Sequence, residues 1–136
     1  MKTRTRLLAA SLLITALASA PTASADKRIQ LIDKDGQHVH QLLIRDGYDG
    51  YDVPNLSHVL LEGVHHEFFL VTFDKPCSWM DLKNDFHFKP NVSGTVFDSD
   101  LIDARSNAGA YCLVTKIQQM PTKQAGLELA KKEAAG

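Results

Sequence analysis

The chain has 136 residues, 44% of them hydrophobic and 23% charged, with a formal net charge of −1. That balance excludes wholesale disorder and fibrous repeats. With 15 basic against 16 acidic residues and no basic run longer than a pair such as Lys131-Lys132, it also argues against a phosphate-backbone partner, so no nucleic acid is expected.

Lys2, Arg4 and Arg6 precede an apolar run over residues 7–17, and Ala23-Ser24-Ala25 follows as an A-x-A cleavage pattern. This is the layout of a signal peptide occupying residues 1–25, with removal expected before Asp26. Ala18-Ser19-Ala20 is a competing pattern, but it would leave Pro21 as the first mature residue. The apolar run is too short for a membrane span, and no cysteine follows it to carry a lipid anchor. The expected mature chain keeps 12 basic and 16 acidic residues, net −4, and is periplasmic or secreted. It is expected to comprise a β-rich domain over 26–122 and a helix or frayed tail over 123–136.

Residues 29–31 and 39–44 are rich in β-formers, and Lys34-Asp35-Gly36 between them predicts a hairpin turn. DGYDGYD at 46–52, followed by Pro54, predicts a loop. Strands over 56–62 and 66–73 flank Gly63 and form the clearest hairpin. In the second of these, Phe69, Val71 and Phe73 face one way while Phe68, Leu70 and Thr72 face the other. Apolar residues on both sides predict a central strand.

Pro76 breaks that strand, with a loop or helical turn over 75–82. Phe86-His87-Phe88 reads as a brief strand, 101–104 as another, and Ser106-Asn107-Ala108-Gly109 as a turn. Over 111–117, Cys112, Val114 and Lys116 alternate with Tyr111, Leu113, Thr115 and Ile117. After Pro121, residues 123–135 are helix formers interrupted by Gly126, and Leu127, Ala130 and Ala134 give a narrow apolar stripe that docks weakly or frays. The expected class is α+β, mainly antiparallel β: a small single-domain sheet or partly open barrel with one disulfide and a C-terminal helix.

Cys77 and Cys112 are the only two cysteines. In an oxidising compartment such a pair reads as a disulfide, and the wide spacing lacks the C-x-x-C signature of a redox thiol. Closing the loop from 77 to 112 restricts the unfolded chain by about 4 kcal/mol. Trp79 is expected to pack over the bridge, with ligand stacking as its alternative role.

Taken in order, EFFLVTFDKPCSWMDL, FHF, VFDSDLIDA and GAYCLVTKIQQMP resemble a family of small exported proteobacterial proteins of unknown function. The residues that carry the likeness are Cys77, Trp79, Leu82, Phe86, Asp98, Cys112, Val114, Ile117 and Pro121, over roughly residues 56–122. The resemblance implies export and fold, and it transfers no catalytic residue.

Histidine is the enriched polar type, with six copies at 38, 40, 58, 65, 66 and 87. His38-Val39-His40 places two imidazoles on one strand face, about 7 Å apart. Together with His65, His66 and Glu67 they suit Zn²⁺ or Cu²⁺ if the two segments meet in space; otherwise they are surface histidines. Asp33-Lys34-Asp35-Gly36 fails as a calcium loop, because Leu31 and Leu42 occupy its first and last ligand positions. Asp46, Asp49 and Asp52 read as a solvated turn in preference to a cation site. Tyr48 and Tyr51 are candidates for a contact surface, with packing on the sheet edge the equal alternative.

For catalysis there is no G-x-S-x-G elbow, no H-E-x-x-H and no phosphate loop. Ser57 and His58 are adjacent and would face opposite ways on a strand. The expected function is that of a soluble, non-enzymatic exported protein that binds an unknown protein or small ligand. The alternative is a periplasmic zinc- or copper-binding protein using the N-terminal histidines; no other cofactor is expected.

Overall fold

The computed structural model describes residues 28–45, 47–78, 87–88, 94–106 and 109–136. The expected signal peptide and its cleavage site, Asp46, Trp79, Leu82, Phe86 and the middle of the 106–109 turn lie outside the described residues. Strand β1 (Gln30–Ile32) turns back into β2 (His38–Val39) as an antiparallel pair. Asp33 builds the turn: its Oδ1 accepts from the backbone N–H groups of Asp35 and Gln37, each at 2.9 Å. Gly36 takes φ 81° there, a conformation that glycine adopts without a Cβ clash. The hairpin thus forms around the predicted turn.

The strand expected over 39–44 does not run through. The chain bends at His40, and β3 (Gln41–Leu43) leaves the main sheet to pair with β8 (Thr95–Phe97) as a separate ribbon. The bend lets Leu42 and Val96 be buried over the main sheet.

DGYDGYD requires a correction. From Tyr48 onward it is not a loop, because residues 48–52 open β4 (Tyr48–Asn55), which pairs antiparallel with β5 (His58–Gly63). An edge position tolerates Pro54. Register shifts between Tyr48 and Gly50 and between Asp52 and Asn55 absorb the turn-forming residues as bulges.

β6 (Phe68–Phe73) completes the predicted hairpin and lies between β5 and β10 (Tyr111–Met120). It is central, as its two-sided hydrophobicity requires. The order β2-β1-β10-β6-β5-β4 is antiparallel except for β1 beside β10, and the sheet is open, not a closed barrel. β9 (Asp103–Arg105) pairs with the first residues of β10, and β7 (His87–Phe88) pairs with β9.

One face of the sheet buries Leu31, Val59, Leu61, Phe69, Val71 and Ile117 against Leu42, Ile44 and Val96. The other buries Leu60, Leu70 and Met120 beneath α1 (Lys123–Ala134). Thr122 caps α1 by accepting from the Ala125 N–H at 3.0 Å, which satisfies one of the unpaired donors of the first turn. The apolar stripe differs from the expected one: Ala134 is exposed, while Gly126 and Ala130 are buried with Leu127 and Leu129 beside them. The glycine that interrupts the run of helix formers is what admits the sheet. A Cβ there would stand 2.6 Å from Leu60 Cδ1 and 3.3 Å from Met120 Cγ.

The alternation predicted over 111–117 holds only as far as Val114. A register shift between Val114 and Lys116 resets the phase, so Val114 and Ile117 both join the ribbon-side core while Lys116 turns toward the helix. Cys77 and Cys112 are bridged, with Cα atoms 6.0 Å apart, tying the chain beyond β6 to the start of β10.

Candidate functional site

The helix-facing side of the sheet is a grid of cross-strand rows. Leu60, Leu70 and Gln118 make one row across β5, β6 and β10; His58, Thr72 and Lys116 make the next. The first is mostly apolar and the second entirely polar. His58 is only 3% exposed. Its Nδ1 lies 2.8 Å from Asn55 Oδ1 and its Nε2 lies 2.9 Å from Oε2 of Glu133, in the last turn of α1. The Lys116 ammonium donates to the other Glu133 oxygen.

Asn55 fixes the proton on this ring. Its amide donates to the Ala130 carbonyl at 3.3 Å, and its Oδ1 accepts from the Ser57 N–H at 2.9 Å. Nδ1 of His58 therefore meets an acceptor, and Nε2 meets a carboxylate. A ring protonated on both nitrogens satisfies both contacts. The Thr72 hydroxyl, between His58 and Lys116 in the row, is buried without a hydrogen-bond partner. Burial alone would raise the Glu133 carboxyl, but the hydrogen bonds and charges of Lys116 and His58 outweigh it and hold the group below the usual carboxylate range. This cluster clamps the helix to three strands. Shut off at 3% exposure, the imidazole is not presented to a ligand.

Beyond the end of α1, toward the disulfide, two depressions adjoin and share Asp74 and Leu113. One, about 350 Å³, is lined by Asp74, Lys75, Pro76, Ser78, Tyr111, Cys112 and Leu113. The other, about 130 Å³, adds Arg28, Leu101, Val114 and Thr115. They form where β10 changes partners. Leu113 is in register with Asp103 of β9 and its carbonyl accepts from the Asp74 N–H at 3.0 Å, whereas β1 takes over only from Lys116. Leu101 and Tyr111 border the depressions at 74% and 63% exposure. Arg28, Asp74 and Lys75 supply charge of both signs.

The histidines proposed from sequence divide into two places. His38 and His40 line one depression of about 460 Å³ together with Arg28 and Asp98. His40 Nδ1 is 2.8 Å from Asp98 Oδ2, and that hydrogen bond holds the Asp98 carboxyl below its usual range. His65 and His66 are exposed in the β5–β6 turn, where His66 adopts φ 59°. From β2 to β6 is three strand spacings, about 14 Å, so the fold does not bring the two pairs together. Among the described residues, no group of three or more His, Cys, Asp or Glu side chains is placed to hold a metal ion. Tyr48 and Tyr51 meet edge to face with centroids 6.5 Å apart, half-buried against the core. The bulge between Tyr48 and Gly50 puts two residues three apart on the same side.

Neither the His58–Glu133–Lys116 cluster nor the Leu101–Tyr111 border was singled out from sequence. The one available signal was His58 itself, a histidine alternating with Leu60 and leading directly into the apolar run Val59-Leu60-Leu61.

A family model described as a family of unknown function, DUF6491, matches residues 1–136. The chain belongs to that family. The DUF6491 match takes in the N-terminal residues with His38 and His40, which lie outside the 56–122 segment that carried the resemblance. No curated protein and no solved structure matches the chain. Among the described residues of this DUF6491 member, no helix is long and apolar enough to cross a membrane.

Proposed function

We propose that this protein is an exported, non-enzymatic binding protein, periplasmic or secreted, that receives a protein segment or small ligand at the disulfide end of its sheet. The observation that carries the reading is the pair Leu101 and Tyr111, 74% and 63% exposed, bordering two adjoining depressions with Leu113 between them. Exposed apolar and aromatic side chains beside a concavity with a charged border are suited to contact. Export is supported by the basic, apolar and A-x-A order of residues 1–25 and by the disulfide, which persists in oxidising compartments. The test is amide shift mapping of the mature protein against a library of fragments and short peptides. Shifts concentrated on Leu101, Tyr111, Leu113 and Thr115 support the reading; shifts centred elsewhere contradict it.

A second reading, zinc or copper binding, is supported by His38 and His40 lining one depression beside Asp98. His65 and His66 have no part in that depression.

A further inference from the structure

We infer that α1 is an acid-released cover, latched to the sheet through Glu133 and opening when the polar row beneath it loses its only carboxylate. The geometry makes Glu133 the hub. One oxygen bonds the His58 ring of β5 and the other bonds the Lys116 ammonium of β10, so a single side chain of the helix ties two strands. Both of these are withdrawn from water, His58 at 3% and Lys116 at 18% exposure.

The groups that face this hub are few. β4 contributes Asn55, which is already committed to the Ala130 carbonyl and the His58 ring. β6 contributes the Thr72 hydroxyl, which has no partner. On the helix itself, Lys131 and Lys132 are exposed in the same last turn. A second ionic tie of α1 to the sheet, Lys123 to Asp52 at 2.9 Å, lies at the opposite end of the helix beside Glu62.

Protonating Glu133 removes the anion that faces the His58 ring and the Lys116 ammonium, with only the uncharged Thr72 hydroxyl between them. An uncompensated buried cation is costly, and hydrating it requires the last turns of α1 to lift. Lifting bares Leu60, Leu70 and Met120, now covered by the helix. The strands keep their ladders and the disulfide, so release is local.

The experiment is amide hydrogen exchange on the mature, oxidised protein at about pH 7, pH 5 and pH 3.5, read as protection factors so that intrinsic exchange is removed. The expected result is a loss of about fivefold in α1 protection between pH 5 and pH 3.5, the most that one carboxyl can deliver over that interval, while β5, β6 and β10 retain theirs. Glu133→Gln is expected to show the lowered α1 protection already at neutral pH and to change little on acidification. Glu128→Gln, whose carboxylate pairs with Gln124 on the exposed face of the helix, is expected to follow the parent. Loss of helix and strand protection in step overturns the inference, as does parental protection in Glu133→Gln or an equal effect from Glu128→Gln. If Glu133→Gln does not fold, the parent's own titration decides between local and global release.

Discussion

Oε2 of Glu133 lies 2.9 Å from Nε2 of His58, joining residues 75 apart in sequence across the helix–sheet interface. The contact satisfies a ring that is 3% exposed, while Glu133 itself remains 27% exposed.

Removing this carboxylate is therefore expected to destabilise the protein. Glu133→Ala should cost about 1–3 kcal/mol, below the full range for a buried pair because the carboxylate keeps some solvent. The sign of the pH effect follows from the shift. A carboxyl held below its unfolded value contributes stability above that value, and the contribution is lost as pH falls through the folded value. Urea midpoints from about pH 7 to pH 3 should fall more steeply in the parent than in Glu133→Ala. Parallel curves would show that the carboxylate is not coupled to folding.

The bridge between Cys77 and Cys112 joins the segment after β6 to the start of β10. Replacing both cysteines by alanine should cost about 2–5 kcal/mol. A melting temperature within a degree or two of the parent would show that the staple contributes nothing.

How much of this was legible in the sequence depends on how local each signal is. Asp35-Gly36 between β-formers and the two-sided apolar strand over 68–73 are local, and both correspond to observed elements. Cys77 and Cys112 were legible because two cysteines allow one pairing. β4 was hidden because Gly, Asp and Pro carry the composition of a loop, and only an edge strand with bulges accommodates them. The bulge after Val114 defeated simple alternation. It turned Lys116 toward a helix whose Glu133 no pattern in β10 could announce. Gly126 read as a helix breaker because its closeness to Leu60 exists only after packing.

Gly94 is the glycine with the least room. Its φ is 72°, and a Cβ there would lie 2.5 Å from the Ile44 carbonyl oxygen, the backbone neighbour whose own N–H bonds Gly94 at 2.7 Å. Gly94→Ala should cost about 2–4 kcal/mol, combining left-handed strain with a backbone clash, and should loosen the β3–β8 ribbon. Gly109, at φ 86° with open space, should lose only about 1–2 kcal/mol on the same substitution. Chemical denaturation of the two variants checks the contrast, and equal losses would contradict it.

Metal binding by His38 and His40 makes a separate prediction. Ligation needs neutral imidazole, so binding should weaken in acid. Calorimetric titration of Zn²⁺ and Cu²⁺ at about pH 7.5 and pH 5.5 should show saturable one-to-one binding at the higher value. His38→Ala/His40→Ala should abolish it, and His65→Ala/His66→Ala should leave it intact. Equal weak binding by all three proteins would remove this reading.

We propose the surface around Leu101 and Tyr111 as the place where this protein meets its partner. The most direct measurement places a photo-crosslinking residue at position 101 or 111 of the full-length chain expressed in living cells, with position 34 in the β1–β2 turn as the control. A discrete crosslinked species is expected from 101 and 111 that is absent from 34 and is lost when Leu113→Asp is added. The same species from all three positions, or none from 101 and 111, would contradict it.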